Sequence, residues 1–186
     1  AWIEYPHLRF TTVSYSAELA VAHSNKSVKL MKSDWYQERF GHAFNMKSDV
    51  GGQSKLKETE RYFENDQGGY RFVSSITGGS TGYGGDINIA DDILKAQESD
   101  SEARRKEANK FWGETYPSRV SDFDSSVFFL IMQRLHDNDP TGYSLEKQKE
   151  ADEDNYFHIN IPARDNGKVK PRALQRFYDD GLFFPA

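Results

Sequence analysis

The chain has 186 residues, of which 37% are hydrophobic, and its 24 Lys and Arg against 29 Asp and Glu give a net charge of -5. This length suits one ordinary domain, and the negative charge argues against a protein that holds nucleic acid by charge alone, although a local basic face remains compatible with it. The absence of cysteine excludes a disulfide scaffold, thiolate zinc sites and cysteine nucleophiles. No run approaches the ~20 consecutive apolar residues of a membrane-spanning helix.

Strands and helices alternate along the sequence. Runs rich in β-branched and aromatic residues predict strands, while apolar residues at helical spacing behind a polar cap predict helices. Ser16 and Asp34 are the expected caps of the first two helices. No element is predicted for the polar, poorly periodic residues 42–68. The predicted strands are 8–15, 70–77, 87–90, 126–132 and 156–161, and the predicted helices are 17–31, 35–40, 101–116 and 143–151.

The run SVFFLIM at 126–132 is apolar throughout, which predicts a strand covered on both faces. Together with the alternation of strands and helices, it indicates an α/β fold with a mostly parallel sheet. Ligands of such sheets bind beyond the carboxyl ends of the strands. We therefore expect the chemistry just after residues 15, 90 and 132.

The segment INIADD at 87–92 places two carboxylates directly after a short apolar strand. A carboxylate at a strand end can hold Mg²⁺ or its water shell, and a second can orient or deprotonate a water. This is the layout of a Walker B segment, with Asp92 where many ATPases carry glutamate. The alternative is that Asp91 and Asp92 are a helix N-cap pair.

The glycine-dense loop GGSTGYGGD at 78–86 permits close approach of its backbone to a ligand. It lacks the Lys-Ser/Thr pair that ends a P-loop. Gly167-Lys168 is the single Gly-Lys pair, and Val169 follows it. The sequence therefore contains no Walker A motif, and the loop is most simply a connection.

The segment MQRLHDND at 132–139 follows the apolar run and supplies Gln133, Arg134 and His136. Gln and Arg can sense or bind a γ-phosphate. Two alternatives remain open: an ordinary turn capped by Asp137 or Asp139, and a nuclease metal cluster of His136 and Asp139 with Asp91 and Asp92.

Other candidates are weaker. Ser16 lies in SYSAELA, a strand-to-helix step common in nucleotide-binding folds and equally compatible with a plain capped helix. Arg119 is a cation without an evident partner before the apolar run. ARRKE at 103–107 is most simply a solvated face, and Trp35, Trp112 and the phenylalanines are most simply core.

The order of these motifs is more specific than any one of them. SYSAELA, GGYRFVSSITGGSTGYGGDINIADDILK, SRV, SVFFLIMQRLHDNDPTGY and INIPA occur in succession over residues 8–165. In this order they resemble the ATPase region of the large terminase subunit of tailed bacteriophages, the family that packages DNA into preformed proheads.

The resemblance implies a RecA-like fold of the ASCE P-loop NTPase class, with a mostly parallel sheet flanked by helices and lacking its Walker A unit. It implies ATP and Mg²⁺ as cofactors, with Asp91 as the metal-associated carboxylate. Asp92, Gln133 and Arg134 would be catalytic, and Ser16, Arg119 and His136 would contact the nucleotide.

The resemblance also implies how the chain is organised. Residues 1–165 would be a partial ATPase domain, and 166–186 would lead towards a missing RNase H-like nuclease domain. The absence of an initial Met and the apolar end Leu182–Phe184 suit a piece of a longer protein. Such a piece should hydrolyse little ATP by itself.

Partners and location follow from the same resemblance. They are double-stranded viral DNA, the portal protein, the small terminase subunit and further copies in a ring, with no membrane. The location would be the host cytoplasm, with transient docking on the prohead portal. One departure is Tyr83, where relatives often carry an arginine, whose role would pass to Arg71, Arg119 or Arg134.

Overall fold

A computed structural model describes residues 1–46, 56, 58–78, 82–120, 122, 124–152, 155–163 and 169–179. The middle of the glycine loop and the end GLFFPA lie outside this range. The strands are β1 (Phe10–Ser14), β2 (Glu58–Thr59), β3 (Tyr62–Glu64), β4 (Tyr70–Ser75), β5 (Ile87–Asp91) and β6 (Val127–Ile131). The α-helices are α1 (Ala17–Met31), α2 (Asp34–Phe40), α3 (Glu102–Lys110), α4 (Pro140–Ala151) and α5 (Arg176–Asp179). A π-helical turn, Phe111–Thr115, continues α3, and short 3₁₀ turns cover Ala96–Glu98, Pro117–Arg119 and Arg172–Leu174.

The strands form one mixed sheet in the order β2-β3-β4-β1-β5-β6. The four strands β4, β1, β5 and β6 are parallel, and the two short strands β2 and β3 are antiparallel to their neighbours. The predicted α/β class with a mostly parallel sheet is confirmed. Because β1, β5 and β6 are neighbours, their carboxyl ends meet along one border of the sheet, which we call the carboxyl edge.

Helices cover the two faces of the sheet. On one face, which we call the α1 face, α1 packs over β1 and β4, and Arg71 of β4 donates a hydrogen bond to Ser27 of α1. On the opposite face, the α3 face, Phe111, Trp112 and Tyr116 pack with Val13, Ala90, Ile93, Phe128 and Leu130. Trp2, Met31, Tyr36, Phe44, Met46 and Phe63 form a second core cluster.

Strand β6 is the last strand of the described sheet, and its two faces differ in burial. Phe128 and Leu130 pack into the core on the α3 face. On the α1 face, Val127, Phe129 and Ile131 are 48%, 49% and 55% exposed. The prediction of a strand covered on both faces is therefore wrong for the chain described here.

Several local predictions also need correction. Ser33, rather than Asp34, caps α2, since its side chain accepts from the amide of Tyr36. Trp35 is exposed instead of core, with the Arg39 guanidinium 4.8 Å from its ring centroid. Two short strands, β2 and β3, lie in the polar stretch for which no element was predicted.

Contacts divide the chain into the units Ala1–Tyr143 and Ser144–Ala186. In the second unit the predicted strand at 156–161 is not formed, and Asn160 makes one isolated antiparallel bridge with Lys170. Phe157, Ile159 and Ile161 are exposed, while Val169 is buried. Among the helices described in either unit, none has the length and apolar character to cross a bilayer.

Arg9 and Asp86 join the amino ends of β1 and β5. The Arg9 amide and Nε donate to Asp86 Oδ2 at 2.8 and 3.0 Å, and Nη2 donates to Oδ1 at 2.6 Å. Burial alone would raise the pKa of Asp86, but the hydrogen bonds and charge of Arg9 outweigh it and hold that pKa below its ordinary value. The pair fixes the start of the β1–β5 register.

Asp86→Asn should lower the free energy of unfolding by about 1 kcal/mol near neutral pH, a modest value because Arg9 is partly exposed to screening solvent. The pKa of Asp86 is lowered in the folded state. The substitution therefore has its full destabilising effect at pH values above the ordinary pKa of aspartate. This effect disappears as pH falls through the lowered pKa. Urea unfolding at pH 7 and near pH 3 measures this, with Glu102→Gln as a control that removes the exposed Glu102–Lys106 pair. An equal effect of Asp86→Asn at both pH values would contradict it.

Candidate functional site

Two adjacent carboxylates stand at the carboxyl edge between the ends of β1 and β6. Asp91 is the last residue of β5, and Asp92 has a φ of 47°, a left-handed conformation uncommon outside glycine. The Asp92 amide donates to the Ile131 carbonyl at 2.8 Å, and the Tyr15 amide donates to the Asp92 carbonyl at 3.1 Å. The backbone of Asp92 therefore ties together the ends of β5, β6 and β1.

The N-cap interpretation of this carboxylate pair is wrong. The next helical turn is the 3₁₀ turn Ala96–Glu98, and its cap residue is Lys95. Neither aspartate therefore occupies the cap position of a helix.

Asp91 lies on the α1 face, at the same level as Ile131 of β6. Burial, and next the charge of Asp92, raise the pKa of its carboxyl group, while His23 and Arg71 act in the opposite direction. Partial burial beside a like charge therefore makes ionised Asp91 costly. A cation beside it would offset this cost.

Polar atoms buried on the α1 face accompany Asp91. Within the part of the chain that the structure describes, Ser14 Oγ, Thr12 Oγ1 and Arg71 Nε are buried without a hydrogen-bond partner. Burial lowers the pKa of Arg71, and the charge of Asp91 partly counters this effect. Sequence reasoning named Arg71 only as a substitute arginine and missed His23 and Ser14. The alternation of side chains along β1 and β4 could have placed Ser14 and Arg71 on one face.

Ser16 lies two residues after the end of β1 and caps α1. Its Oγ accepts from the Leu19 amide at 3.3 Å and donates to Glu18 Oε2 at 2.6 Å. The plain capping interpretation accounts for this geometry, and the structure places Ser16 one residue from Tyr15, whose amide bonds to Asp92.

Asp139 organises the segment after β6. Its fully buried carboxylate accepts from the Leu135 amide at 3.0 Å, the Gly142 amide at 2.8 Å and Arg134 Nε at 3.1 Å. Asp139 is therefore the cap at the start of α4, and Arg134 stabilises the turn. Gln133 is exposed beyond the end of β6.

The proposed nuclease cluster is not assembled. His136 Nδ1 accepts from the Asn138 amide at 3.0 Å, and the Asp139 oxygens are occupied by the turn. Among the described residues, which include all four members of that cluster, no group of three or more histidines and carboxylates could hold a metal ion. The structure thus brings Asp91 and Asp92 together without His136 and Asp139.

Arg119 and Tyr83 lie away from the carboxylates. The Arg119 guanidinium is 5.6 Å from the Phe111 ring centroid. Arg119 and Tyr83 line a small cavity together with Thr11, Val13, Phe72 and Tyr116. Tyr83 stacks on Phe72 with 4.3 Å between ring centroids and also contacts Tyr62 and Tyr70. Tyr83 is therefore an aromatic anchor against β3 and β4.

A cleft of about 190 Å³ opens at the carboxyl edge on the side of α3. Its charged residues balance, since Lys95 and Arg104 face Glu98 and Glu107, and Arg104 is paired with both glutamates. Neither Asp91 nor Asp92 lines it. Its lining residues are Tyr15, Ile76, Thr77, Ile93, Leu94, Lys95, Glu98, Arg104 and Glu107.

No family model matches the chain, and no curated protein matches it significantly. The functional proposal below therefore rests on the geometry of the carboxyl edge.

Asp91→Asn should modestly raise the free energy of unfolding at neutral pH, because it removes a carboxylate whose ionisation is made costly by partial burial and by the charge of Asp92, an effect that solvent screening reduces. Because the folded-state pKa is raised, ionisation destabilises the fold above that pKa, and the penalty vanishes below the ordinary aspartate value. Urea unfolding at pH 7 and pH 4 measures this gain. Asp100→Asn removes a charge from an exposed position and is the matched control. A destabilised Asp91→Asn variant at pH 7 would contradict the argument.

Asp139→Ala should lower the free energy of unfolding by about 2 kcal/mol, because it removes a helix cap and leaves buried amides without their acceptor. Asp137→Ala, at an exposed position in the same turn, should have little effect. Thermal melts of the two variants test this, and equal melting temperatures would show that the Asp139 hydrogen bonds contribute nothing.

Proposed function

We propose that this chain is the partial ATPase region of a terminase large subunit from a tailed bacteriophage, with a RecA-like fold. The observation that carries the proposal is the carboxylate pair at the end of β5. Asp91 and Asp92 lie between the ends of β1 and β6 in a parallel sheet, and backbone hydrogen bonds hold Asp92 to both neighbours. In open α/β sheets this border is where ligands bind.

The donor chemistry suits Mg²⁺. This ion takes oxygen ligands and is commonly bound through one or two carboxylates, with waters and substrate phosphates completing its shell. Asp91 would supply such a carboxylate. When bound, Mg²⁺ would neutralise charge on the phosphates.

The remaining roles follow from position. Asp91 holds the metal or its water shell, and Asp92 orients the attacking water. Gln133, exposed just beyond β6, is the candidate that responds to the γ-phosphate. Arg134 stabilises its own turn through Asp139, so its proposed catalytic role is less direct than that of Gln133. Ser16, His136 and Arg119 stay proposals as nucleotide contacts. Arg119 has the least support, because it lies beside Phe111 and away from the carboxylate pair.

The phosphate cradle is the missing component. The sequence has no Gly-Lys-Ser/Thr motif, and phosphoryl transfer depends on positioning and charge neutralisation. The whole motor would therefore join this chain to a Walker A unit. In the packaging proposal its partners are viral DNA, portal protein, small terminase subunit and further copies of itself, in the host cytoplasm.

ATP turnover tests the function. The chain by itself should release no phosphate above background, whereas the polypeptide extended by its upstream coding sequence should hydrolyse Mg-ATP. In the extended protein Asp92→Asn should lower kcat by about a thousandfold or more, because the oriented water is lost. Its affinity for ATP should stay within about threefold.

Asp100→Asn is the matched control for the loss of one carboxylate. Robust Asp92-dependent turnover by the chain alone would overturn the need for a Walker A unit. Full turnover by Asp92→Asn in the extended protein would remove Asp92 from the mechanism. Plasmid cleavage by the chain with Mn²⁺ would favour a nuclease instead.

A further inference from the structure

The cleft beside α3 has the size of a small-molecule site and plays no part in the proposed function. Its volume is about 190 Å³, and cavities of ~150 Å³ hold a molecule as large as benzene. Neither Asp91 nor Asp92 lines it. The cleft therefore has room for a ligand of its own, somewhat larger than benzene.

The cleft lies where the direction of the chain through the sheet reverses. The chain leaves β1 towards β4 with α1 on one face, and it leaves β5 towards β6, in the other direction, with α3 on the opposite face. In open α/β sheets such a reversal opens a crevice beyond the two adjacent strand ends, and ligands bind there. Tyr15 follows β1, and Ile93, Leu94 and Lys95 follow β5, so the cleft occupies the α3 side of this crevice.

Part of the lining is apolar. Ile93 is fully buried, Leu94 is 4% exposed, and Ile76 is half-buried. The half-buried ring of Tyr15 adds an aromatic wall. Burial of a short aliphatic group against these side chains is favourable, because it removes apolar surface from water.

Lys95 supplies a positive charge that is not neutralised at close range. Its Nζ lies 5.3 Å from the centroid of the Tyr15 ring. Within the described ranges of the chain, no carboxylate forms an ion pair with it, and the exposed Glu18 feels its charge only at longer range. This ammonium group is therefore available to an anionic group of a ligand.

Arg104 and its two partners supply a negative charge elsewhere in the lining. Arg104 Nη1 lies 2.8 Å from Glu107 Oε2, and Arg104 Nε lies 3.8 Å from Glu98 Oε2. One guanidinium thus serves two carboxylates, which leaves one negative charge in excess. The neighbouring Arg105 donates to the Ser99 carbonyl and does not line the cleft.

The four charged side chains of the lining sum to zero, but the two signs are separated. Lys95 carries the excess positive charge, and the Glu98–Arg104–Glu107 group carries the excess negative charge. A ligand with a single charge would leave one of these two positions unpaired. A ligand that is neutral overall and carries one charge of each sign would pair with both.

We infer that this cleft is a binding site for a small zwitterion with an aliphatic side chain, that is, a free α-amino acid. Its carboxylate lies beside Lys95, and its ammonium group faces Glu98 and Glu107. Its side chain packs on the apolar lining beside Tyr15. The site goes beyond the proposed function, since it requires neither ATP nor the carboxylate pair.

Three probes with the same side chain test the site in the 186-residue chain. They are leucine, 4-methylpentanoate, which lacks the ammonium group, and 3-methylbutylamine, which lacks the carboxylate. Amide NMR shifts of residues 76–77 and 93–98 report binding. Leucine should bind with a Kd of about 1 mM. Each singly charged analogue should bind about fivefold more weakly at low salt, the loss of one partly exposed ion pair.

Two variants assign the charges of the ligand to the two positions. Lys95→Met should weaken leucine and 4-methylpentanoate about fivefold and leave 3-methylbutylamine unchanged. Glu107→Gln should weaken leucine and 3-methylbutylamine and leave 4-methylpentanoate unchanged. Lys26→Met, at an exposed position on α1, removes the same charge away from the cleft and is the matched control.

Several results would overturn the inference. One is the absence of shifts in the cleft at about 20 mM leucine, roughly twenty times the expected Kd. Equal binding of all three probes would show that the charges of the cleft do not select the ligand. Tighter binding of 4-methylpentanoate than of leucine would assign the cleft to a simple anion. Glu98→Gln repeats the test of the negative position if Glu107→Gln disturbs α3.

Discussion

The parallel pairing of β1 with β5 is the constraint on which the rest of the structure depends. Residues 77 positions apart are joined at the amino ends by Arg9 and Asp86. At the other end the Tyr15 amide bonds to the Asp92 carbonyl. With both ends of the pair fixed, every side chain of β5 has a defined face. Asp91 is thereby directed to the α1 face, and the segment after β6 begins beside it.

Coverage of the sheet is uneven, and this unevenness coincides with the candidate site. The α3 face is closed by aromatic side chains over β1, β5 and β6. The α1 face is closed over β1 and β4 and open over β6. The open part borders Asp91. Arg71 and the buried hydroxyl of Ser14 lie on the closed side of that region.

Much of this fold could be predicted because its main elements have local signals. A few residues are enough to recognise each of these signals: the β-branched run in β1, the Ser16 cap, and the apolar runs of β5 and β6. The burial of β6 could not be predicted. An apolar run shows that a strand is able to pack against apolar neighbours on both faces, but it does not show whether those neighbours are present. Ser14 was missed, and Arg71 was named only as a substitute arginine, for a related reason: their proximity to Asp91 depends on strand order. Asp139 was ambiguous between a cap and a ligand until its hydrogen bonds were known.

The left-handed backbone at position 92 limits which residues can occur there. Aspartate and asparagine adopt this conformation at little cost, whereas a longer side chain such as glutamate would add roughly 1 kcal/mol of strain. In the proposed ATPase, the conformation would therefore favour the shorter acid at the position where many ATPases carry glutamate. The aspartate carboxylate is one methylene nearer the main chain, so any water it orients must approach the end of β5 more closely. Backbone geometry by itself therefore favours aspartate or asparagine over glutamate at position 92.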